Sequence, residues 1–101
     1  MTSEVTLDRK SKILGSIKPP KKYKVIVFND DTTPMEFVIA LLISIFNHSE
    51  SASIEITLKI HNEGSAVVGI FPYEIAEQKS EDSNMLARSN GFPLQTKIEI
   101  E

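Results

Sequence analysis

Asn29, Asp30 and Asp31 stand side by side in the stretch FNDDTTPMEF, residues 28–37, and a histidine, His61, follows thirty-odd positions later in the segment HNEG. An amide oxygen, a carboxylate and a neutral imidazole nitrogen are all hydrogen-bond acceptors, and together they match the three N–H donors of a primary ammonium. Such a set suits a cation that is held without being chemically changed. With an apolar pocket beside it, the complete ligand would be an ammonium attached to a hydrophobic group. Turn chemistry is the competing account, because Asn and Asp side chains bond nearby backbone N–H groups and suit a helix N-terminus. It explains one carboxylate or two, but has no need of all three residues beside a methionine, Met35. A proton-sharing carboxylate pair fits less well, since adjacent side chains on an extended segment point in opposite directions. A metal site of the two aspartates and His61 lacks any recognised ligand spacing. His61, near the end of a helical segment, also has the ordinary alternative of complementing the helix dipole.

The chain's totals narrow the classes further. Its 101 residues make about one domain with a single core and a shallow site. A formal charge of −3, spread along the chain, gives none of the positive field that nucleic acid requires. Having no cysteine, the chain can form no disulfide and no thiolate site, which fits a reducing cytoplasm. The apolar run Phe37 to Ile43 is far short of the roughly 20 residues that cross a bilayer, and no signal-peptide pattern opens the sequence. A soluble cytoplasmic monomer without cofactor or metal is expected.

Those chemistry-bearing residues need elements to position them. Residues 1–20 mix charges and hydroxyls without period and end at Pro19-Pro20, which predicts a flexible extension ahead of a core domain over 21–101. Tyr23 to Phe28 reads as a buried strand. Thr33 as cap, Pro34 as first helical residue and Glu36 reaching back predict a helix to about Asn47. A serine-rich turn with a solvent-facing His48 leads to a second helix, with Ala52, Ile56 and Ile60 on one face, ending at Gly64. Ala66 to Phe71 predicts a strand, Pro72 and Glu74 open a third helix closed by Asn90-Gly91, and Lys97 to Glu101 alternates with Ile98 and Ile100 on a dry face. The order β-α-α-β-α-β implies an α+β fold, a three-stranded, mostly antiparallel sheet with three helices on one face.

The segments KPP at 18–20, YKVIVFNDDTTPMEFV at 23–38, His61-Asn62-Glu63-Gly64, GIFPYEIAEQK at 69–79 and FPL at 92–94 resemble the ClpS family, adaptors of the Clp protease, in register over about residues 18–101. The resemblance implies a protein that performs no covalent chemistry. It would bind N-degrons, proteins whose first residue is bulky and hydrophobic, and deliver them to the N-terminal domain of the AAA+ unfoldase. It further implies that Asn29, Asp31 and His61 receive the free α-amino group, directly or through water, while Asp30 engages the backbone of the second residue. A neutral His61 is needed for that task, so capture should weaken on acidification. The matching pocket positions are Val27, Phe28, Thr33, Met35, Val38, Thr57, Ile60 and Leu94. Met35 would be the gatekeeper against β-branched first residues, and Glu74 and Lys79 match unfoldase contacts. The N-terminal extension matches a tail dispensable for capture but needed for delivery.

Two positions depart from that pattern. Thr57 stands where many members have a second pocket methionine, which implies a wider floor and an altered preference among Leu, Phe, Tyr, Trp, Ile and Val. Thr32 stands where common bacterial forms have an aromatic residue. These departures leave room for a stand-alone interaction domain that modulates the unfoldase without reading N-termini.

Overall fold

The structure, a computed structural model, describes residues 21–101. The expected flexible extension over 1–20 lies outside the described residues. Six elements follow one another: β1 (Lys22–Phe28), α1 (Met35–Ser44), α2 (Glu50–Glu63), β2 (Ser65–Pro72), α3 (Tyr73–Ser89) and β3 (Gln95–Ile100). The sheet has the order β2-β1-β3, and both pairings are antiparallel. The α+β architecture expected from the sequence is therefore observed.

β1 is central because it is the most apolar strand, with Val25 and Val27 fully buried and Ile26 nearly so. Its inward residues meet their inward partners across both ladders: Val27 opposes Ala66 and Thr96, and Val25 opposes Ile98. Leu41 and Leu42 of α1, Ile60 of α2, Ala76 and Ala87 of α3 and Leu94 complete one core on that face. Removing the buried bulk of Leu41, for instance by Leu41→Ala, should cost about 2–5 kcal/mol. A register shift between Val25 and Ile26 makes room for Val68 on the bulged β2 strand. Gly69 follows, and a Cβ there would lie 2.5 Å from the Phe71 ring, so only hydrogen lets that ring fold back over the strand.

Several local expectations are corrected. α1 does not start with a capping box. Its N-cap is Pro34, in extended conformation and without a side-chain cap, because Thr33 Oγ1 donates instead to Asp30 Oδ2 at 2.8 Å. To cap the helix the Thr33 hydroxyl would have to accept from a first-turn N–H, but it is turned toward Asp30 on the preceding loop. The helix also ends three residues early, at Ser44, ahead of Asn47 with its left-handed φ of 59°. His48 does not merely face solvent: its Nε2 lies 2.6 Å from the Val68 carbonyl oxygen, tying the interhelical turn to β2.

On α2 the inward stripe is Ser53, Thr57 and Ile60, with Ala52 and Ile56 only half-buried beside it. Ser49 caps this helix, accepting from the Ala52 N–H at 3.1 Å. At the far end of β3, Ile100 pairs with Tyr23 but remains half exposed, so the dry face stops at Ile98. Thr96, buried one step earlier, takes the inward place nearest the turn.

α3 is bound to the rest by polar contacts as well as by packing. Lys79 Nζ donates to the Ile45 carbonyl at 2.7 Å and lies 5.8 Å and 5.4 Å from the ring centres of Phe46 and Phe71. It thus closes the C-terminal end of α1, where carbonyls lack helical partners. Past α3, Gly91 at φ 80° reverses the chain, and Arg88 Nη1 donates to the carbonyls of Phe92 and Leu94, each at 2.8 Å. Phe92 then packs edge-on against Phe37 of α1.

Candidate functional site

The exit of β1 and the end of α2 are joined by one backbone bond. Asn29 N–H donates to the Gly64 carbonyl at 2.9 Å, in continuation of the Phe28–Ser65 strand pair. Gly64 caps α2 with φ 94°, a left-handed conformation that glycine adopts without Cβ strain, and its N–H donates to the Ile60 carbonyl at 2.9 Å. The chain therefore turns sharply after His61, which brings the imidazole next to the Asn-Asp-Asp loop although the two are far apart in sequence.

Between them opens a cleft of about 310 Å³, lined by Asn29, Asp30, Asp31, Thr33, Met35, Val38, Thr57, Ile60 and His61. Every one of these residues is among the positions expected from the sequence. Asn29, Asp31 and His61 are exposed on the rim, while Val38, Thr57 and Ile60 are buried in the wall and Met35 is half-buried beside them. The cleft is thus polar at its mouth and mainly apolar in depth.

Three expected pocket residues are not part of its lining. Val27 and Leu94 are fully buried, with exposures of 0% and 1%, and belong to the core beneath the cleft. The pleat carries Phe28 to the opposite face from Val27. There it helps line a smaller neighbouring hollow with Asn29, Asp30, Pro93 and Gln95, and Lys97 Nζ lies 5.9 Å from its ring centre.

Asp30 differs from its neighbours in being engaged already. Its Oδ1 accepts from the N–H groups of Thr32 and Thr33, both at 2.8 Å, and Oδ2 accepts from the Thr33 hydroxyl. Burial by itself pushes this carboxyl's pKa up. The backbone bonds from Thr33 and Thr32, the Thr33 hydroxyl and the positive charge of Arg88 outweigh burial and hold it below the ordinary aspartate value. Turn chemistry therefore accounts for Asp30, and one carboxylate, Asp31, stays exposed on the rim. Thr32 is exposed on this same turn.

Among the described residues no group of three His, Cys, Asp or Glu side chains is placed to hold a metal ion. No helix there is long and apolar enough to cross a membrane.

A second surface lies at the start of α3, apart from the cleft. Glu74 is exposed and lines a shallow hollow of about 510 Å³ with Lys21, Tyr23, Pro72, Tyr73 and Ile75. Tyr73 stacks edge-on against Tyr23 and donates its hydroxyl to Glu77. That carboxylate raises the pKa of the phenol, first through the hydrogen bond and then through its charge. Lys79 is half-buried by its bond to Ile45, so Glu74 is the more accessible of the two expected contact residues.

Sequence and fold both have counterparts among known proteins. The adapter protein ClpS of Nautilia profundicola is 50% identical over 80 residues, covering 79% of this chain and 82% of its own length. That of Clostridium acetobutylicum is 42% identical over 94 residues, covering 93% of both chains. The structure of Agrobacterium tumefaciens ClpS2 bound to L-phenylalaninamide superposes with a TM-score of 0.80 at 41% identity, covering 82% of this chain and all of that one. The family model for the ATP-dependent Clp protease adaptor protein ClpS matches residues 18–97, and the chain belongs to the ClpS family.

Proposed function

We infer that this protein is an adaptor of the Clp protease that captures proteins by a free α-amino group and a bulky hydrophobic first residue, and hands them to the AAA+ unfoldase. One observation carries the reading: a cleft with acceptors from two distant segments at its mouth and apolar side chains in its depth, in a ClpS-family chain. L-phenylalaninamide, bound by the Agrobacterium relative, has the same two halves, an ammonium and a benzyl group.

In this reading Asn29, Asp31 and His61 accept from the ammonium. Asp30 holds the loop in shape and offers the remaining capacity of its carboxylate to the backbone of the second residue. Met35, Val38, Thr57 and Ile60 enclose the first side chain, with Thr33 at the edge. Burying a Leu or Phe side chain there contributes about 1.5–3 kcal/mol. Each charge-assisted contact adds about 1.5–3 kcal/mol before the cost of association is subtracted. Neither half alone is enough. The groove at the start of α3, with Glu74 exposed and Lys79 nearby, is the surface for the N-terminal domain of the unfoldase. The protein acts as a cytoplasmic monomer that changes no covalent bond, and residues 1–20 serve delivery and not capture.

Acetylation tests the central claim. A peptide beginning with Leu should bind while its N-acetylated form does not, because acetylation removes the charge and two of the three donors. Equal affinities in a titration would mean that the chain binds its partners without reading N-termini.

A further inference from the structure

Two hydroxyls on α2 are buried without a partner. Ser53 and Thr57, one turn apart, are 0% and 3% exposed, and among the described residues their oxygens are the buried side-chain polar atoms that make no hydrogen bond. A buried hydroxyl on a helix normally has an outlet in the carbonyl four residues back. Ser83 on α3 takes it, donating to the Lys79 carbonyl at 2.8 Å. Thr57 does not take it.

Thr57 also differs from Ser53 in lining the cleft. Its neighbours in the wall, Met35, Val38 and Ile60, carry only carbon and a thioether sulfur, so Thr57 holds the one hydroxyl in the apolar depth. Threonine in a helix populates two χ1 rotamers, and a rotation between staggered wells can carry Oγ1 into the place the methyl group held. The same wall can therefore present either carbon or a donor and acceptor to whatever fills the cleft. An unsatisfied group of this kind is relieved by a ligand that brings a polar atom and gains nothing from one that is purely hydrocarbon.

Resting on the adaptor reading above, we propose that Thr57 is a specificity determinant whose hydroxyl pairs with a polar atom on the captured first side chain. Tyrosine is then preferred over phenylalanine as a first residue. The two ligands have the same ring and the same ammonium and differ by one oxygen. Discrimination between them isolates this hydrogen bond from the rest of the site.

The test is a set of calorimetric titrations of the full chain with two peptides that differ only in Tyr or Phe at position one. The wild type should favour Tyr by roughly 3- to 10-fold, the value of one neutral hydrogen bond. Thr57→Val should bring the Tyr:Phe affinity ratio to about one or below, and Thr57→Ser, which keeps the hydroxyl, should retain the preference. Thermal melts of each variant establish that it is folded, and Thr57→Ala, which also lacks the hydroxyl, takes the place of Thr57→Val if that variant does not fold. An equal Tyr:Phe ratio in wild type and Thr57→Val, with both peptides bound, overturns the role of Thr57 and leaves the adaptor reading standing. N-acetylated peptides binding as well as free ones would overturn the adaptor reading, and this inference with it.

Discussion

The molecule contains two polar clusters at the edge of one core, and they are built on opposite terms. Behind α3, Thr96 is closed in by hydrogen bonds: its hydroxyl meets Ser80 Oγ at 2.5 Å, has Asn84 Oδ1 and the Ser80 carbonyl each at 3.2 Å, and its N–H donates to Asn84 Oδ1 at 3.0 Å. Having one proton to give, the Thr96 hydroxyl donates in only one of these contacts, and between Ser80 Oγ and Thr96 Oγ1 either hydroxyl can be the donor. On the other side of the core, the hydroxyls of Ser53 and Thr57 on α2 have no partner among the described residues, and Asn29, Asp31 and His61 stand exposed on or near that helix. The first cluster fastens a strand to a helix and needs nothing from outside. The second is left open where a ligand is expected, at a cost to the empty protein.

The contrast is broken most directly at the open cluster. Asp31→Ala should weaken capture of a Leu-initiated peptide by about 1.5–3 kcal/mol, on the order of 10- to 100-fold, because a charge-assisted bond to the ammonium is lost. The melting temperature should barely move, since Asp31 is exposed on the rim. A large loss of stability with unchanged affinity would assign Asp31 to the closed kind. The reverse pattern is expected at Thr96→Val, which keeps the shape and deletes the hydroxyl. Stability should fall by about 1–3 kcal/mol as Ser80 is left without its partner, with peptide affinity preserved. Loss of affinity in a folded Thr96→Val protein would erase the distinction between the clusters.

The sequence reveals the open cluster more readily than the closed one. Asn29, Asp31 and His61 are exposed polar residues at element ends, where backbone signals such as Gly64 fix the geometry. The order of elements is equally legible, because β-branched and aromatic residues mark β1 and punctuation such as Pro34, Gly64, Pro72 and Gly91 marks where elements begin and end. Contacts between residues distant in sequence leave no local trace. His48 reaches Val68 across 20 positions and Lys79 reaches Ile45 across 34, so neither was foreseeable from its neighbours. Val27 and Leu94 were matched to the cleft but lie beneath it, since depth within a core depends on how layers stack and not on residue type. Ser53 had a usable signal in its i, i+4 spacing from Thr57, hidden by the more obvious Ala52, Ile56 and Ile60 series.

Asp30 sharpens the comparison from within the open cluster, because it is closed. Asp30→Ala removes the acceptor of two N–H groups and one hydroxyl at the entrance to α1, and should cost about 0.5–2 kcal/mol, as loss of a helix cap does. Its pKa is lower in the folded than in the unfolded chain. The carboxylate's contribution is therefore complete above the ordinary aspartate range near 3.9, and is lost as pH falls below it through the folded value. Wild type and Asp30→Ala should thus converge in stability at strongly acidic pH and differ at neutrality, as urea titrations at the two pH values will read. A difference that grows on acidification would contradict the bonding described for this turn.

The smallest effect is expected at Ser53→Ala, and its sign is what matters. The substitution deletes one oxygen from a fully buried position in the first turn of α2. Lost packing around that atom opposes the change. Better helix propensity for alanine contributes up to about 0.5 kcal/mol in favour, and release of an unsatisfied buried hydroxyl adds to it. The favourable terms are the larger, so the variant should be at least as stable as wild type, by less than about 1 kcal/mol in urea denaturation. Destabilisation by 1 kcal/mol or more would mean that the hydroxyl is bonded in solution, as a buried water would allow. Ser53 would then belong with Thr96, among groups that fasten the fold, and Thr57 alone would remain open to a ligand.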